Sequence, residues 1–284
     1  MPTFMAACVQ LRSGKTILEN AENAEALIRA AAAEGADYVQ TPEMSNVLVR
    51  SREELFERLP QGQEDLFLTR AKSLSAELGI YLHLGSLAVL LENGKVANRA
   101  FLIGPGGKVI ASYDKIHMFD VDLPNGESWR ESATYEPGTR SVVADLPLAK
   151  FGMAICYDVR FPAIFRTQSR DGAQVLTGPA AFTRQTGKAH WHVLQRARAI
   201  ENGAYMISAA QGGTHEDGRE TYGHSLIVDP WGMAIAELAN DEPGYVLAEI
   251  DTENAAKARA RIPAIANERG FELSHAEALK EMPA

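Results

Sequence analysis

Apolar and polar positions along this chain switch repeatedly between the patterns of buried strands and of amphipathic helices. The run Phe4–Leu11 is short, apolar and followed by a turn with a glycine, which predicts a buried strand. The next apolar positions recur at steps of four and three residues, at Ile17, Ala21, Ala24, Ile28 and Ala31. This spacing predicts a helix with one buried face, and Gly35 is a suitable residue to end it.

The alternation of strands and helices continues along the chain. Apolar runs predict strands within 36–43, 80–91, 99–117, 151–156, 173–182, 204–211, 224–230, 234–238 and 244–251. Helical spacing predicts helices within 67–78, 161–173 and 189–203. We therefore expect one α/β domain over residues 1–284 with two-layered sheet packing, in which about 253–284 form a peripheral helical tail. An open parallel sheet of Rossmann type would give a similar pattern.

One segment departs from this alternation. Residues 120–139 are polar and contain two prolines and two glycines, so they predict a long loop. Long loops in compact proteins often carry function, because a rigid scaffold positions their side chains.

Composition narrows the classes of partner. Hydrophobic residues make up 46% of the chain, and the net charge of −9 disfavours broad binding to nucleic acid or to anionic membranes. No apolar run approaches the roughly 18 residues of a membrane span, and we expect no signal peptide because no charged segment precedes an apolar stretch at the N-terminus. Two cysteines are too few for a disulfide framework. We therefore expect a soluble cytoplasmic protein with neither a nucleic-acid nor a membrane partner.

Cys156 is the first candidate for chemistry. It ends the run 151–156 where a helix is predicted to begin, and the positive end of a helix dipole favours the nucleophilic thiolate. A buried structural cysteine is the alternative. A thiol nucleophile needs a base, and Glu43, at the end of a predicted strand, could serve, as could a histidine. The histidines available are His83, His117, His190, His192, His215 and His224.

Three segments together resemble the nitrilase, or carbon-nitrogen hydrolase, superfamily. They are TPEMSNV around Glu43, YDKIHMFDVD around Lys115 and GMAICYDVRFP around Cys156, in the order and context of that family. The resemblance continues through 189–211 and 222–232 and covers nearly the whole chain. It implies an αββα sandwich that pairs in a homodimer, possibly a larger assembly, to form four layers.

The resemblance also implies a cysteine-dependent amidase. Cys156 would be the nucleophile, Glu43 the general base and Lys115 an oxyanion ligand beside a backbone N–H, assigned to Tyr157. The substrate would be a small anionic carboxamide, cleaved through a Cys thioester with release of ammonia. Amide hydrolysis involves no redox change, so no cofactor and no metal is expected.

Two further residues complete the predicted site. The family has a second glutamate near the nucleophile, and Glu131 resembles it better than Glu127 because it lies a few residues before a Pro-Gly turn. Arg160, four residues after Cys156, is a candidate to bind a substrate carboxylate, since arginine grips carboxylates bidentately. A structural ion pair is the alternative for Arg160.

Several functions remain open at this stage. Within the superfamily the chain looks most like the branch that hydrolyses deaminated glutathione, with ω-amidase, N-carbamoyl hydrolase and nitrilase as alternatives. The segment 187–192, GKAHWH, departs from the Gly-Pro-Ala-His-Trp-Glu of that branch, which puts substrate contacts from this helix start in doubt. A non-catalytic binding protein is the alternative outside enzymes. No metalloprotease motif appears, and the GPGG of 104–107 is not a dinucleotide-binding motif.

Overall fold

A computed structural model describes residues 3–61, 64–124, 126 and 128–276. The strands are β1 Thr3–Gln10, β2 Tyr38–Gln40, β3 Tyr81–Leu90, β4 Val96–Ile103, β5 Val109–Asp114, β6 Asp120–Asp122, β7 Ser128–Arg130, β8 Val142–Asp145, β9 Lys150–Met153, β10 Val175–Thr177, β11 Tyr205–Ser208, β12 Gly212–Thr214, β13 Glu220–Tyr222, β14 Leu226–Val228, β15 Ala234–Glu237 and β16 Gly244–Asp251. The helices are α1 Ile17–Ala33, α2 Arg52–Arg58, α3 Leu66–Leu78, α4 Pro162–Arg170, α5 Arg184–Asn202 and α6 Thr252–Arg261.

The larger strands form two sheets of six with the same internal plan. Their orders are β16-β1-β2-β3-β4-β5 and β15-β14-β11-β10-β9-β8. Each sheet has three central parallel strands flanked by antiparallel ones: β1, β2 and β3 in the first, and β9, β10 and β11 in the second. Two mixed sheets therefore replace the single open sheet that the sequence pattern also allowed.

The two faces of β1 show how the layers pack. Phe4, Ala6 and Cys8 belong to the apolar cluster that joins the two sheets, whereas Ala7 and Val9 belong to the cluster under α1 and α3. This alternation is the period of two expected for a strand buried on both faces. Ring stacking of Tyr38 on Phe151, with centroids 4.7 Å apart, joins the sheets directly. On the other side α5 packs against β11 and β14, so the layers run α, β, β, α as predicted.

The helix predictions hold closely for α1 and α3, whereas α5 begins at Arg184, five residues before the predicted 189–203. In α1 the residues Ala21, Ala24, Ile28 and Ala31 are buried, as their spacing predicts. Helix α3 is capped by Asp65, whose carboxylate accepts the N–H groups of Phe67 and Leu68 at 2.8 and 3.3 Å, and it ends at Gly79 in the left-handed conformation.

The described residues of 120–139 contain two short strands and a turn where the sequence predicts a long loop. Strands β6 and β7 pair as a hairpin, with Val121 opposite Trp129, and a 3₁₀ turn follows over Glu131–Ala133. The short elements α2, β8, β12 and β13 were also not expected, because each is too short to show a period.

The C-terminal tail is less helical than predicted. Helix α6 ends at Arg261, and residues 262–276 continue in turns and irregular structure. In the described part of the chain, no helix has the length and apolar character needed to cross a membrane.

Candidate active site

Three loops that follow central or neighbouring strands carry the predicted chemical groups. Glu43 comes three residues after β2, Lys115 directly follows β5, and Cys156 follows β9 in a 3₁₀ turn over Cys156–Arg160. The first two belong to one sheet and the third to the other. The structure brings all three side chains to one cavity of about 300 Å³, together with Glu131 and Arg160.

A bulge in β3 positions the loop of Glu43. The register of β3 against β4 shifts between Leu84 and Leu87, and the bulged Ser86 bonds the loop three times. Ser86 N donates to Pro42 O at 3.1 Å, Ser86 O accepts Ser45 N at 2.9 Å, and Ser86 Oγ accepts Met44 N at 2.9 Å. Bulges commonly re-aim a chain beside an active site, and here the bulge fixes the backbone on both sides of Glu43.

A buried lysine lies between two carboxylates at the base of the cavity. Lys115 Nζ donates to Glu43 Oε1 at 2.9 Å and to Glu131 Oε1 and Oε2 at 3.0 and 2.9 Å. The side chains of Lys115 and Glu43 are only 2% and 5% exposed, so neither charge is solvated. Burial lowers the pKa of Lys115, but the charges of Glu131 and Glu43 outweigh it and hold that pKa well above the usual value.

The pKa of Glu43 moves in the opposite direction. Burial alone would raise it, but the charge of Lys115 and hydrogen bonds from Cys156, Lys115 and Asn98 leave it below the usual value. Glu43 Oε2 also accepts Ala181 N at 2.8 Å. The carboxylate is therefore ionised at neutral pH and close to the Cys156 thiol.

Asn98 is a site residue that sequence reasoning missed. It lies on β4 in the middle of the apolar run VANRAFLI and is 1% exposed. Its Nδ2 donates to Glu43 Oε1 at 2.9 Å and to Glu131 Oε1 at 3.1 Å, so it bridges the two carboxylates in the cavity that it also lines. The only signal in the sequence is a polar residue inside an apolar strand.

Glu131 is the second glutamate that the structure places in the cavity. Besides its bonds to Lys115 and Asn98, its Oε2 accepts Phe119 N at 2.6 Å, which ties the 3₁₀ turn to the segment before β6. The competing candidate, Glu127, lies outside the described residues.

Cys156 lies on a strained turn. Its φ is +47°, in the left-handed region that costs a non-glycine residue about 1–2 kcal/mol. Cys156 N donates to Pro179 O at 2.8 Å, and Asp158 supports the turn by accepting Ile155 N at 2.9 Å and Tyr113 OH at 2.7 Å. Burial and the charge of Glu43 raise the pKa of the Cys156 thiol well above its usual value, so the resting thiol is protonated.

Arg160 faces the same cavity from the end of the nucleophile turn. Its guanidinium lies over the rings of Phe182 and Tyr157, 5.3 and 5.8 Å from their centroids, and Nη1 contacts His190 Nδ1 at 3.2 Å. Within the described residues no carboxylate pairs with Arg160.

The candidate histidines lie elsewhere. His117 bonds Asp158 and stacks on Phe161, and His192 bonds Glu237 at 2.6 Å, away from the lysine. His83 and His215 are buried, and burial lowers their pKa values to about 3 and about 4. None of these rings lines the cavity, and among the described residues no three His, Cys, Asp or Glu side chains form a group able to hold a metal ion.

Fold and site together define the class of protein. Residues 5–260 match the family model described as Carbon-nitrogen hydrolase, and the chain belongs to this family. The resemblance read from the three sequence segments is thereby confirmed, and so is the α/β architecture.

Individual relatives narrow the comparison. The chain is 40% identical over 269 residues to "Deaminated glutathione amidase" of Synechocystis, covering 93% of this chain and 98% of that protein. It is 35% identical over 271 residues to "Omega-amidase NIT2" of Homo sapiens, covering 95% and 96%. These relatives confirm the prediction of an amidase of this superfamily.

Solved structures agree with this comparison. The NitFhit protein of C. elegans superposes with a TM-score of 0.88 at 32% identity, covering 94% of this chain, which spans 65% of that longer protein. A mutant of the amidase from Nesterenkonia sp. AN1 superposes with a TM-score of 0.76 at 25% identity, covering 92% and 98%. In that structure acrylamide has added to the active-site cysteine.

Proposed function

We propose that this protein hydrolyses the amide bond of deaminated glutathione through a thioester on Cys156. The observation that carries the proposal is the placement of one buried ammonium, Lys115, between Glu43 and Glu131 in the cavity that holds Cys156. The relatives at 40% identity named for this reaction support the choice of substrate. Hydrolysis of α-ketoglutaramate is the second candidate, favoured by the relative named as an ω-amidase.

In the first half of the reaction Glu43 removes the thiol proton of Cys156. A base is needed because burial and the neighbouring charge keep the pKa of this thiol high. Sulfur then attacks the carbonyl carbon. Glu43 returns the proton to the nitrogen, so that the C–N bond breaks and the amine leaves, with the acyl group bound as a thioester.

Charge builds on the carbonyl oxygen during this attack. The ammonium of Lys115 and the backbone N–H of Tyr157 face that oxygen, and a donor of this kind typically contributes about 2.7–4 kcal/mol. Glu131 holds Lys115 in position through two hydrogen bonds. In the second half Glu43 deprotonates a water molecule, whose oxygen attacks the thioester carbon. The C–S bond breaks, Glu43 returns the proton to the departing Cys156 sulfur, and the acid is freed.

Arg160 binds a carboxylate of the substrate. Its position over two rings leaves its outer N–H groups available for a bidentate contact. We expect Arg160→Ala to raise KM much more than it lowers kcat, because the residue acts in binding and not in the chemical step. An unchanged KM would place the carboxylate anchor elsewhere.

The leaving group distinguishes the two candidate substrates. α-Ketoglutaramate releases ammonia, as the family resemblance implied, whereas deaminated glutathione releases cysteinylglycine in its place. Both substrates yield 2-oxoglutarate. A coupled assay for 2-oxoglutarate therefore measures both reactions, with Cys156→Ala as the blank. Turnover of α-ketoglutaramate with a higher kcat/KM than deaminated glutathione would assign the ω-amidase activity instead. Release from neither would refute the proposed function.

We further propose that the protein is a homodimer formed through α5 and the turn before β15. This face carries five apolar side chains that are 42–67% exposed: Val193, Ile200, Trp231, Met233 and Ile235. Arg196 Nε donates to Gly232 O at 2.7 Å, which joins the helix and the turn into one surface. Apolar surface of this extent commonly marks a protein interface.

Light scattering tests the dimer. A mass near 31 kDa at micromolar concentration would refute it, since the chain is 30.9 kDa. We expect Trp231→Arg to shift the mass towards the monomer. Ile110→Arg, at a similarly exposed position on β5, should leave the mass unchanged.

We also place the protein in the cytoplasm, because Cys8 and Cys156 are both free thiols. Recovery of the protein from an exported fraction would contradict this placement.

A further inference from the structure

The cavity contains more arginine than the reaction uses. Arg50, Arg130, Arg160 and Arg219 all line it. Arg130 is already neutralised, because its Nη2 bonds both oxygens of Asp122 at 2.9 Å. Arg160 is assigned above to one substrate carboxylate. Arg219 has only a long ion pair, from its Nη2 to Asp217 Oδ2 at 3.5 Å. Neither Arg219 nor Arg50 has a role in the reaction described above.

These two remaining arginines meet at one aromatic ring. The guanidinium of Arg219 lies 4.6 Å from the centroid of Trp129, and that of Arg50 lies 5.0 Å from the same ring. Cations over an aromatic face are held in position without losing their hydrogen-bond donors. The ring thus holds two like charges near one another and, besides burial, the charge of Arg50 contributes to lowering the pKa of Arg219.

The donors of Arg219 are poorly satisfied by the protein. Its Nη2 reaches Val49 O at 3.4 Å and Asp217 Oδ2 at 3.5 Å, and its Nε is buried without a hydrogen-bond partner. The pKa of Arg219 lies below its usual range because burial penalises its charge. A buried guanidinium with an unused donor is costly unless an anion balances its charge and accepts a hydrogen bond from that donor. In the described part of the chain, no carboxylate pairs with Arg50.

The two arginine sites approach the cavity from different elements. Arg160 ends the nucleophile turn and contacts Phe182 and Tyr157, whereas Arg219 lies in the turn between β12 and β13 and contacts Trp129 of the β6–β7 hairpin. Arg50 is exposed, so the second site lies at the mouth of the cavity. The leaving amine must depart through the mouth while the acyl group stays bound to sulfur.

We propose that Arg219 and Arg50, oriented by Trp129, form a second anion subsite that binds a carboxylate on the leaving group of the substrate. This inference rests on the proposed function and adds a rule of specificity to it. The enzyme selects amides with one carboxylate on each side of the scissile bond. Deaminated glutathione meets this rule through the glycine carboxylate of its leaving peptide, and α-ketoglutaramate does not.

The two substrates test the subsite because they share one acyl group and differ only in the leaving group. We expect Arg219→Lys and Arg50→Gln each to lower kcat/KM for deaminated glutathione about 10- to 100-fold, mainly through KM, as loss of a charged hydrogen bond predicts. The loss for α-ketoglutaramate should be at least tenfold smaller. Equal losses for both substrates, or no loss for either, would overturn the proposal.

A neighbouring arginine provides the control. Arg52 also lies over a ring, that of Phe56 at 5.4 Å, but it does not line the cavity. Arg52→Gln should therefore change neither rate. Arg50→Gln is at an exposed position and keeps the test valid if variants of the buried Arg219 fail to fold.

A binding experiment separates the subsite from the proposed function. Calorimetry on the Cys156→Ala protein compares deaminated glutathione with its C-terminal carboxamide, which lacks the glycine carboxylate. We expect the acid to bind at least tenfold more tightly, and the difference to disappear when Arg219→Lys is added. Equal binding of acid and amide would overturn the subsite. If the acid binds more tightly than the amide but the wild-type protein hydrolyses neither substrate, the subsite is retained and the proposed activity is rejected.

Discussion

Replacing Glu43 with glutamine removes one charge from the site and changes little of its shape. Glu43 Oε1 accepts Lys115 Nζ and Asn98 Nδ2, both at 2.9 Å, and Oε2 accepts Ala181 N at 2.8 Å. A glutamine amide has a single acceptor oxygen. One side of this network must therefore place an amide NH₂ against another donor.

The geometry sets the cost in stability. If the amide oxygen keeps Lys115 and Asn98, the NH₂ faces the Ala181 N–H, and a buried unsatisfied donor costs about 1–3 kcal/mol. Lys115 retains Glu131 as its counterion, so the larger penalty of about 3–5 kcal/mol for an uncompensated buried charge does not apply. We expect the free energy of unfolding of Glu43→Gln to fall by about 1–3 kcal/mol, and the protein to fold.

The effect on catalysis should be larger. Loss of a general base typically lowers the rate about 10²–10⁴-fold, or about 2.7–5.4 kcal/mol in the barrier. Reactivity of the free thiol should change in the opposite direction. The charge of Glu43 helps to raise the pKa of Cys156, so its removal lowers that pKa and increases the thiolate fraction. Alkylation by iodoacetamide should therefore reach its half-maximal rate at a lower pH.

Three measurements check this reasoning: release of 2-oxoglutarate, the pH profile of alkylation and urea unfolding. The matched control is Glu136→Gln, which removes a carboxylate paired with Lys95 at 3.0 Å outside the cavity and should change none of the three. Hydrolysis within tenfold of wild type would remove Glu43 from the role of base. Alkylation that slows together with hydrolysis would refute the electrostatic argument.

Two further predictions concern the buried polar groups. Burial lowers the pKa of His83 to about 3, so between that value and the ordinary 6.5 the unfolded state binds the extra proton and stability falls as the pH drops. The free energy of unfolding falls by about 2.7 kcal/mol at two pH units below 6.5. His83→Gln should therefore make the urea midpoint less dependent on pH between 7 and 4.5. An unchanged dependence would assign the loss of stability to other groups. Asn98→Ala should lower kcat about tenfold or more with little change in KM, because both donated bonds of Asn98 go to the two carboxylates that hold Lys115. A change confined to KM would contradict that role.

Local patterns predict the elements better than they predict the site. The steps of four and three in α1 identify its buried face because a helix shows its period within a few turns. Glu43 and Cys156 lie on different sheets, and their meeting depends on how the sheets pack, which no local period encodes. Their pairing with Lys115 was expected only through the family resemblance.

The residues that sequence reasoning missed had weaker signals still. Asn98 is one polar position in an apolar strand, and Arg219 lies in a short turn between strands of three residues each. Both acquire their role from groups distant in sequence: Asn98 from Glu43 and Glu131, and Arg219 from Trp129. A single sequence does not show such contacts, because neither periodicity nor composition depends on them.

Backbone strain connects the fold to the chemistry. Among the described residues only Met44, Cys156 and His224 combine a positive φ with a side chain, and the first two adjoin or form the site. Gly85 lies where their loops meet: a Cβ there would come within 2.1 Å of Thr41 O and 2.4 Å of the Pro179 side chain. Since Pro179 O also accepts Cys156 N, the close approach at Gly85 sets the spacing between base and nucleophile. The bulge and the sheet packing hold Met44 and Cys156 in backbone conformations that an isolated loop would relax. The site therefore requires the whole sandwich.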